Sequence, residues 1–194
     1  MPPDNPAAII AEIRQRFQEK GAGMYAGEAI SQTEHALQAA FAAEQAGESA
    51  ELIVAALLHD IGHLLHQHDE HCATQGIDDL HERIGAQWLV RYFPKEVTEP
   101  IRLHVAAKRY RCATDAEYAS RLSPASVLSL QLQGGPFDSA EQTEFEHNPW
   151  SQAALRLRNW DEAAKVPDFE TPELEYFLIY VRRVLQQQTP DPGE

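Results

Sequence analysis

His59 and Asp60 stand side by side in the apolar run Ala55-Ala56-Leu57-Leu58-His59-Asp60-Ile61-Gly62-His63. Packing against an apolar helix face gives no reason for an adjacent imidazole and carboxylate, and both are metal-ligating groups. Three more histidines, His35, His81 and His104, and the carboxylate of Asp161 complete six nitrogen and oxygen donors, enough for two metal ions. Burying so many ionisable groups without a cation would be prohibitive. The donors are borderline to hard, suited to Fe, Mn, Co or Zn and poorly suited to Cu(I), which prefers thiolates. His66, His68, His71 and His147 read as ordinary polar side chains at a core edge. His63, four residues after His59, shares its face if the helix continues.

The elements that must position these groups read almost entirely as helix. Ile9, Ile10, Ile13 and Phe17 form a stripe at helical spacing that ends near Gly21-Ala22-Gly23. Ser31 with Glu34, and Asp79 with Glu82, have capping-box spacing, which predicts that His35 and His81 sit in the first turns of their helices. Leu52, Ala55, Ala56 and Leu58 carry a largely buried helix into His59-Asp60, and Gly62 is expected to loosen or end it. Thr98-Glu99-Pro100 is expected to start the helix of His104 and Lys108, which lie four apart on one face. Ser123-Pro124 starts another helix, stopped by Gly134-Gly135, on which Ser126 and Gln133 share a face. Asn148-Pro149 opens the helix of Arg158 and Asp161, and Thr171-Pro172 the last one, striped by Leu174, Phe177, Leu178 and Val181. Without a convincing alternating strand, the fold class is all-α.

At 194 residues and 43% hydrophobic content the chain can bury one good core, so one domain is expected over 1–194, with a core from about 7 to 188 and short flexible termini. The polar segment Leu64 to Ile77 is the best candidate for an active-site loop. A net charge of -14, with 16 scattered basic residues, argues against nucleic acid. Two cysteines, Cys72 and Cys112, and no signal-like start suggest a reducing, cytoplasmic setting. No run approaches the roughly 20 apolar residues that span a bilayer, so no membrane role is expected.

The pattern His35, His59-Asp60, His81, His104, Asp161 resembles that of the HD-domain superfamily. Tyr25-Ala26-Gly27-Glu28-Ala29-Ile30, followed by Gln32 and Glu34-His35, is similar to its mixed-valence di-iron oxygenase branch. So are His104 to Tyr110, Gln133-Gly134-Gly135-Pro136 and Arg158-Asn159-Trp160-Asp161. The resemblance, from about Tyr25 to Lys165, is to phosphonate-degrading oxygenases that break a carbon-phosphorus bond. It implies a single HD-domain helical bundle with a buried dinuclear site. His35, His59, Asp60 and Asp161 would hold one iron, and Asp60 would bridge to a second held by His81 and His104. The irons would be an Fe(II)/Fe(III) pair with dioxygen as co-substrate. Tyr25, hydrogen-bonded to Glu28, would gate the open position, and His63 would position substrate or handle protons.

Such a pair carries about +5 against about -2 from two carboxylates, so the site wants an anion. Lys108, one turn past His104, and Arg158, three residues before Asp161, would project cations toward it, with Ser126 and Gln133 adding neutral hydrogen bonds. The resemblance implies the same four residues as phosphonate contacts. The expected substrate is a small hydroxyphosphonate, (R)-1-hydroxy-2-(trimethylammonio)ethylphosphonate, giving glycine betaine and phosphate; 2-amino-1-hydroxyethylphosphonate giving glycine is the alternative. Glu28, Asp69 and Glu70 could meet the cationic tail. Three competing readings are an HD-type phosphohydrolase, an inositol-oxygenase-like enzyme and a phosphonate sensor. Extra histidines and the Tyr25/Glu28 pair oppose the first, the two cations the second, and intact ligation the third. The sequence leaves oligomeric state open.

Overall fold

The computed structural model describes residues 5–25, 27–65 and 75–187. In chain order its helices are α1 (Pro6–Lys20), α2 (Gln32–Gln45), α3 (Ala50–Leu58), α4 (Ile61–Leu65), α5 (His81–Leu89), α6 (Lys95–Thr114), α7 (Ala116–Ser120), α8 (Pro124–Leu132), α9 (Ser139–His147), α10 (Ser151–Ala163) and α11 (Leu174–Gln187). Among the described residues the extended pairing amounts to one isolated bridge, Met24 with Ser31, so the chain is all-α. No helix among them is long and apolar enough to cross a membrane.

The run that leads to His59 forms the centre. Ser49 caps α3 by accepting from Leu52 N at 3.3 Å, and every residue from Leu52 to Leu58 is buried. A helix apolar all round must be enclosed, and α3 packs against α2, α6, α10 and α11. The main core runs from Ile9 and Phe17 through α3 to Val181 and Leu185. A smaller cluster of Leu103, Ala107, Phe145 and Ala154 joins α6, α9 and α10.

Several helix ends fall where the residue chemistry puts them. Ser31 and Glu34 form a reciprocal capping box on α2, and Ser123-Pro124 opens α8 with the Ser123 side chain accepting from Ser126 N at 3.1 Å. The chain leaves α8 through Gly134 and Gly135 at φ 100° and 73°.

Other ends differ from expectation. Asn5 caps α1 and Pro6 opens it, so this helix begins inside the stretch expected to fray. Helix α6 starts at Lys95 after Pro94, earlier than Thr98, and Pro100 lies within it, where its missing N–H forgoes one helical hydrogen bond. Asp79 and Glu82 make no capping box, because the residue before α5 is Leu80 in the left-handed region, at φ 52°, with no side-chain cap. Helix α3 ends at Leu58, so His59 and His63 do not share one helix. Gly62 serves close packing instead: a Cβ there would lie 2.1 Å from the carbonyl oxygen of His81. Helices α7 and α9 were not anticipated by the residue patterns, although Asp138 and Glu141 form a full capping box on α9. Asp69, Glu70 and most of the expected loop, with residues 1–4 and 188–194, lie outside the described residues.

Candidate metal centre

Four histidines from α2, the α3 end, α5 and α6 converge in the buried interior. Each is fixed through Nδ1. That atom of His35 donates to the Ala164 carbonyl at 2.7 Å, of His59 to Ala56 O at 2.8 Å, and of His104 to Ile101 O at 2.7 Å. A carbonyl can only accept, so each ring carries a proton on Nδ1, and in the neutral form Nε2 presents its lone pair. The carboxylate of Asp79 plays the same part for His81, at 2.8 Å from Nδ1.

The freed nitrogens then face one another in pairs, His35 Nε2 3.0 Å from His59 Nε2 and His81 Nε2 3.1 Å from His104 Nε2. With both rings of a pair neutral, as metal binding requires, two bare lone pairs would repel at that distance. Two imidazoles bound at right angles to one ion, at metal–nitrogen bonds of about 2.1 Å, stand about 3 Å apart. Asp60 lies between the pairs: its Oδ2 is 3.5 Å from His35 Nε2 and 3.4 Å from His59 Nε2, and its Oδ1 is 3.4 Å from both His81 Nε2 and His104 Nε2. Oδ1 is buried with no hydrogen-bond partner among the described residues, which a metal ligand explains. Asp161 adds Oδ1 to the first pair, 3.4 Å from His35 Nε2 and 3.8 Å from His59 Nε2. The residues fit two metal ions bridged by Asp60. Donor atoms of Asp60, His63 and His81 also lie within 4.8 Å of one another, so His63 adjoins the second position.

Electrostatics agree. Burial opposes charge on Asp60 and Asp161, yet the imidazoles around Asp60, and Arg158 with His35 at Asp161, hold both carboxyls well below the ordinary range. Burial lowers His104 to about 3, whereas at His81 the hydrogen bond it donates to Asp79 and the nearby carboxylates overcome burial and raise it to about 9. A pocket that draws a proton onto one ligand while denying it to the next is one that a bound cation would relax.

Tyr25 is buried and stacks on His35 with ring centroids 3.7 Å apart, and its hydroxyl donates toward Asp161 Oδ1 at 3.5 Å. Burial and the charge of Asp161 raise the phenol well above its usual value, so it stays neutral. The expected side-chain bond to Glu28 is not formed: Glu28 Oε1 accepts from Ser123 Oγ at 2.6 Å.

The two expected cations are present but unlike. Lys108 is buried and donates to Ser129 Oγ at 3.0 Å, and among the described residues no carboxylate is within ion-pair distance of it. Burial, with Arg158 adding to it, pushes this ammonium down to about 7. Each nitrogen of Arg158 has a partner: Nη1 donates to Asp161 Oδ2 at 2.6 Å, Nε to the Tyr118 hydroxyl at 2.8 Å and Nη2 to Glu162 Oε2. In this structure it grips the carboxylate of Asp161, one of the candidate donors, and so meets the site through that side chain.

Lys165, missed in the sequence, completes the pocket by donating to Ser126 Oγ and Glu162 Oε1, both at 2.9 Å. Ser129 Oγ donates to Ser126 O at 3.2 Å, so hydrogen bonds run from Lys108 through Ser129, Ser126, Lys165, Glu162 and Arg158 to Asp161. Gln133 ends α8 with Oε1 buried and unpartnered among the described residues. Adjacent charge at Glu162 and Lys165, just past a ligand, was the available signal.

A family model described as HD domain matches residues 33–131. The chain is 44% identical over 94% of its length, and 93% of the relative's, to a protein of Leisingera caerulea named [1-hydroxy-2-(trimethylamino)ethyl]phosphonate dioxygenase (glycine-betaine-forming). It is also 44% identical, over 93% of the chain and 90% of the relative, to a hydroxymethylphosphonate dioxygenase of Gimesia maris (strain ATCC 29201 / DSM 8797 / 534-30). A protein of Acanthamoeba polyphaga mimivirus without an assigned activity is 34% identical over 93% of the chain and 83% of its own length.

Proposed function

The chain belongs to the HD-domain family, among its phosphonate dioxygenases, and from that premise we propose that it oxidatively cleaves the carbon-phosphorus bond of a 1-hydroxyalkylphosphonate. The preferred substrate is (R)-1-hydroxy-2-(trimethylammonio)ethylphosphonate, giving glycine betaine and phosphate. One dioxygen is consumed: the hydroxyl-bearing carbon gains one oxygen as it becomes a carboxylate, and phosphorus gains the other as phosphate, with release of one proton. The substrate supplies all four electrons, so no external reductant enters.

The observation that carries this reading is a buried ammonium with no carboxylate at ion-pair distance among the described residues, Lys108, one turn past His104 on the helix that brings that imidazole into its pair. A cation held in low dielectric, hydrogen-bonded to a hydroxyl and pushed by Arg158 and Lys165 against the more distant carboxylates of Asp161 and Glu162, calls for an anionic ligand. His35, His59, Asp161 and Asp60 would hold one iron, and Asp60, His81 and His104 the other. Bound there, the irons would chelate the hydroxyl and phosphonate oxygens and activate dioxygen.

The chain's own residues do the rest. Lys108 neutralises the phosphonate dianion, with Lys165 and Ser126 on its far side. Arg158 does not leave Asp161 but keeps that carboxylate aimed at its ion. The neutral phenol of Tyr25 lies over His35, excludes water from the first position and turns aside when substrate enters. His63, its Nδ1 proton held by Asp79, offers Nε2 to take the proton of the substrate hydroxyl. Asp69, Glu70 and Glu28 remain the candidates for the cationic tail.

The test is a substrate panel on iron-loaded protein: the trimethylammonio, amino and unsubstituted hydroxyphosphonates, with carboxylate product identified. Turnover fastest on the first supports the assignment, and preference for hydroxymethylphosphonate refutes the tail assignment alone. Cleavage of phosphoesters with no action on any hydroxyphosphonate overturns the reading in favour of a phosphohydrolase.

A further inference from the structure

Asp79, just before α5, touches two histidines with its two carboxylate oxygens. Its Oδ1 accepts from His81 Nδ1 at 2.8 Å and from the His81 backbone N–H at 3.3 Å, and its Oδ2 lies 2.7 Å from His63 Nδ1. The carboxylate is buried, and the two rings stack with centroids 4.1 Å apart and planes 21° from parallel. Leu80, in the left-handed region at φ 52° and ψ 32°, turns the chain back so that Asp79 reaches the histidine two residues on and one from α4 at once. Close contact of Gly62 with the His81 carbonyl keeps α4 and α5 near enough for both grips.

We propose that Asp79 is a single positioning residue serving two histidines that play different roles. On His81 it fixes the Nδ1 proton so that Nε2 can ligate the second metal, and on His63 it fixes the Nδ1 proton so that Nε2 is left as a proton acceptor beside that metal. This rests on the two-metal reading above. A carboxylate can only accept, so it forces the same tautomer on both rings. Being stacked and held from the same side, both rings turn Nε2 the same way. The chain thereby builds a ligand and a base from one carboxylate, and neither ring can turn over without losing its contact with Asp79.

The two roles separate by substitution. In Asp79→Asn one carbonyl oxygen remains, and the place that accepts both the ring and the backbone N–H of His81 takes it. The amide NH2 then faces His63, which must present a lone pair at Nδ1 and carry its proton on Nε2. In Asp79→Ala both rings are released.

Ferrous iron is titrated anaerobically into metal-free protein, with Asp161→Ala as the opposite control. The inference expects Asp79→Ala to weaken one of two ions by about 10–100-fold while sparing the other. It expects Asp79→Asn to bind both ions normally yet lose turnover as far as His63→Gln does, the double variant being no worse than either. Wild-type protein that binds a single ion sinks the two-metal reading itself. Two ions bound normally by Asp79→Ala, equal weakening of both ions, or full turnover in Asp79→Asn overturns the role of Asp79.

Discussion

Arg158 donates to Asp161 Oδ2 at 2.6 Å while the other oxygen of that carboxylate faces His35 Nε2 at 3.4 Å. On the proposed two-metal reading the guanidinium acts through a ligand of the first ion. Removing it leaves a buried carboxylate without its counter-charge, which costs about 3–5 kcal/mol. Arg158→Ala should therefore lower thermal stability and iron affinity at the first position together, with the ligand-free protein already destabilised. Unchanged melting temperature with only a raised KM would return Arg158 to direct substrate contact.

Lys108 gives the pH dependence its sign. Its folded-state value of about 7 lies below the ordinary 10.5, because burial and then Arg158 disfavour the ammonium. The unfolded chain therefore holds this proton where the folded one does not, so stability falls as pH drops from 10.5 toward 7 and levels off below. The full penalty is on the order of 5 kcal/mol. A phosphonate relieves it by pairing with the charged form. kcat/KM should fall as pH rises through about 7, and Lys108→Arg, charged at every pH, should flatten that limb. Lys108→Ala should chiefly raise KM; no change in either parameter removes Lys108 from the phosphonate pocket.

Lys165 should behave as a weaker partner of Lys108, since Glu162 and Ser126 already occupy its ammonium. Lys165→Met is expected to raise KM several-fold with kcat little altered, measured by steady-state phosphate release. A kcat loss at constant KM would place it outside substrate binding.

Gly62→Ala tests the contact between α4 and α5. The added methyl would meet the His81 carbonyl oxygen at 2.1 Å, and backbone cannot yield as a side chain does. Overpacking of this kind costs about 1–3 kcal/mol. Weaker iron binding at the His81 and His104 position, read by anaerobic titration, should accompany the fall in melting temperature. Normal stability would mean the two helices part without cost.

The convergence of the six candidate donors was legible because an imidazole and a carboxylate side by side in an apolar run have no packing rationale, and Ser31 with Glu34 was legible because a capping box is purely local. Asp79 and Glu82 share that spacing, but two imidazoles compete for Asp79 and win, which only the approach of α4 to α5 discloses. The same limit applies to Arg158. Its three-residue offset from Asp161 is as consistent with gripping that carboxylate as with reaching substrate, and Tyr118 and Glu162 decide it. Lys165 lies past the end of α10, where helical periodicity assigns no face. Helix α6 starts early because Pro94 precedes it, and Pro100 drew attention to the wrong proline.

The claim on which all else depends is that dioxygen, and not water, supplies the new oxygen atoms. Turnover of (R)-1-hydroxy-2-(trimethylammonio)ethylphosphonate under oxygen-18 gas, with both products weighed by mass spectrometry, tests it most directly. The account predicts one labelled atom in the carboxylate and one in the phosphate. Phosphate released with its new oxygen drawn from solvent, and no label in either product, would contradict it.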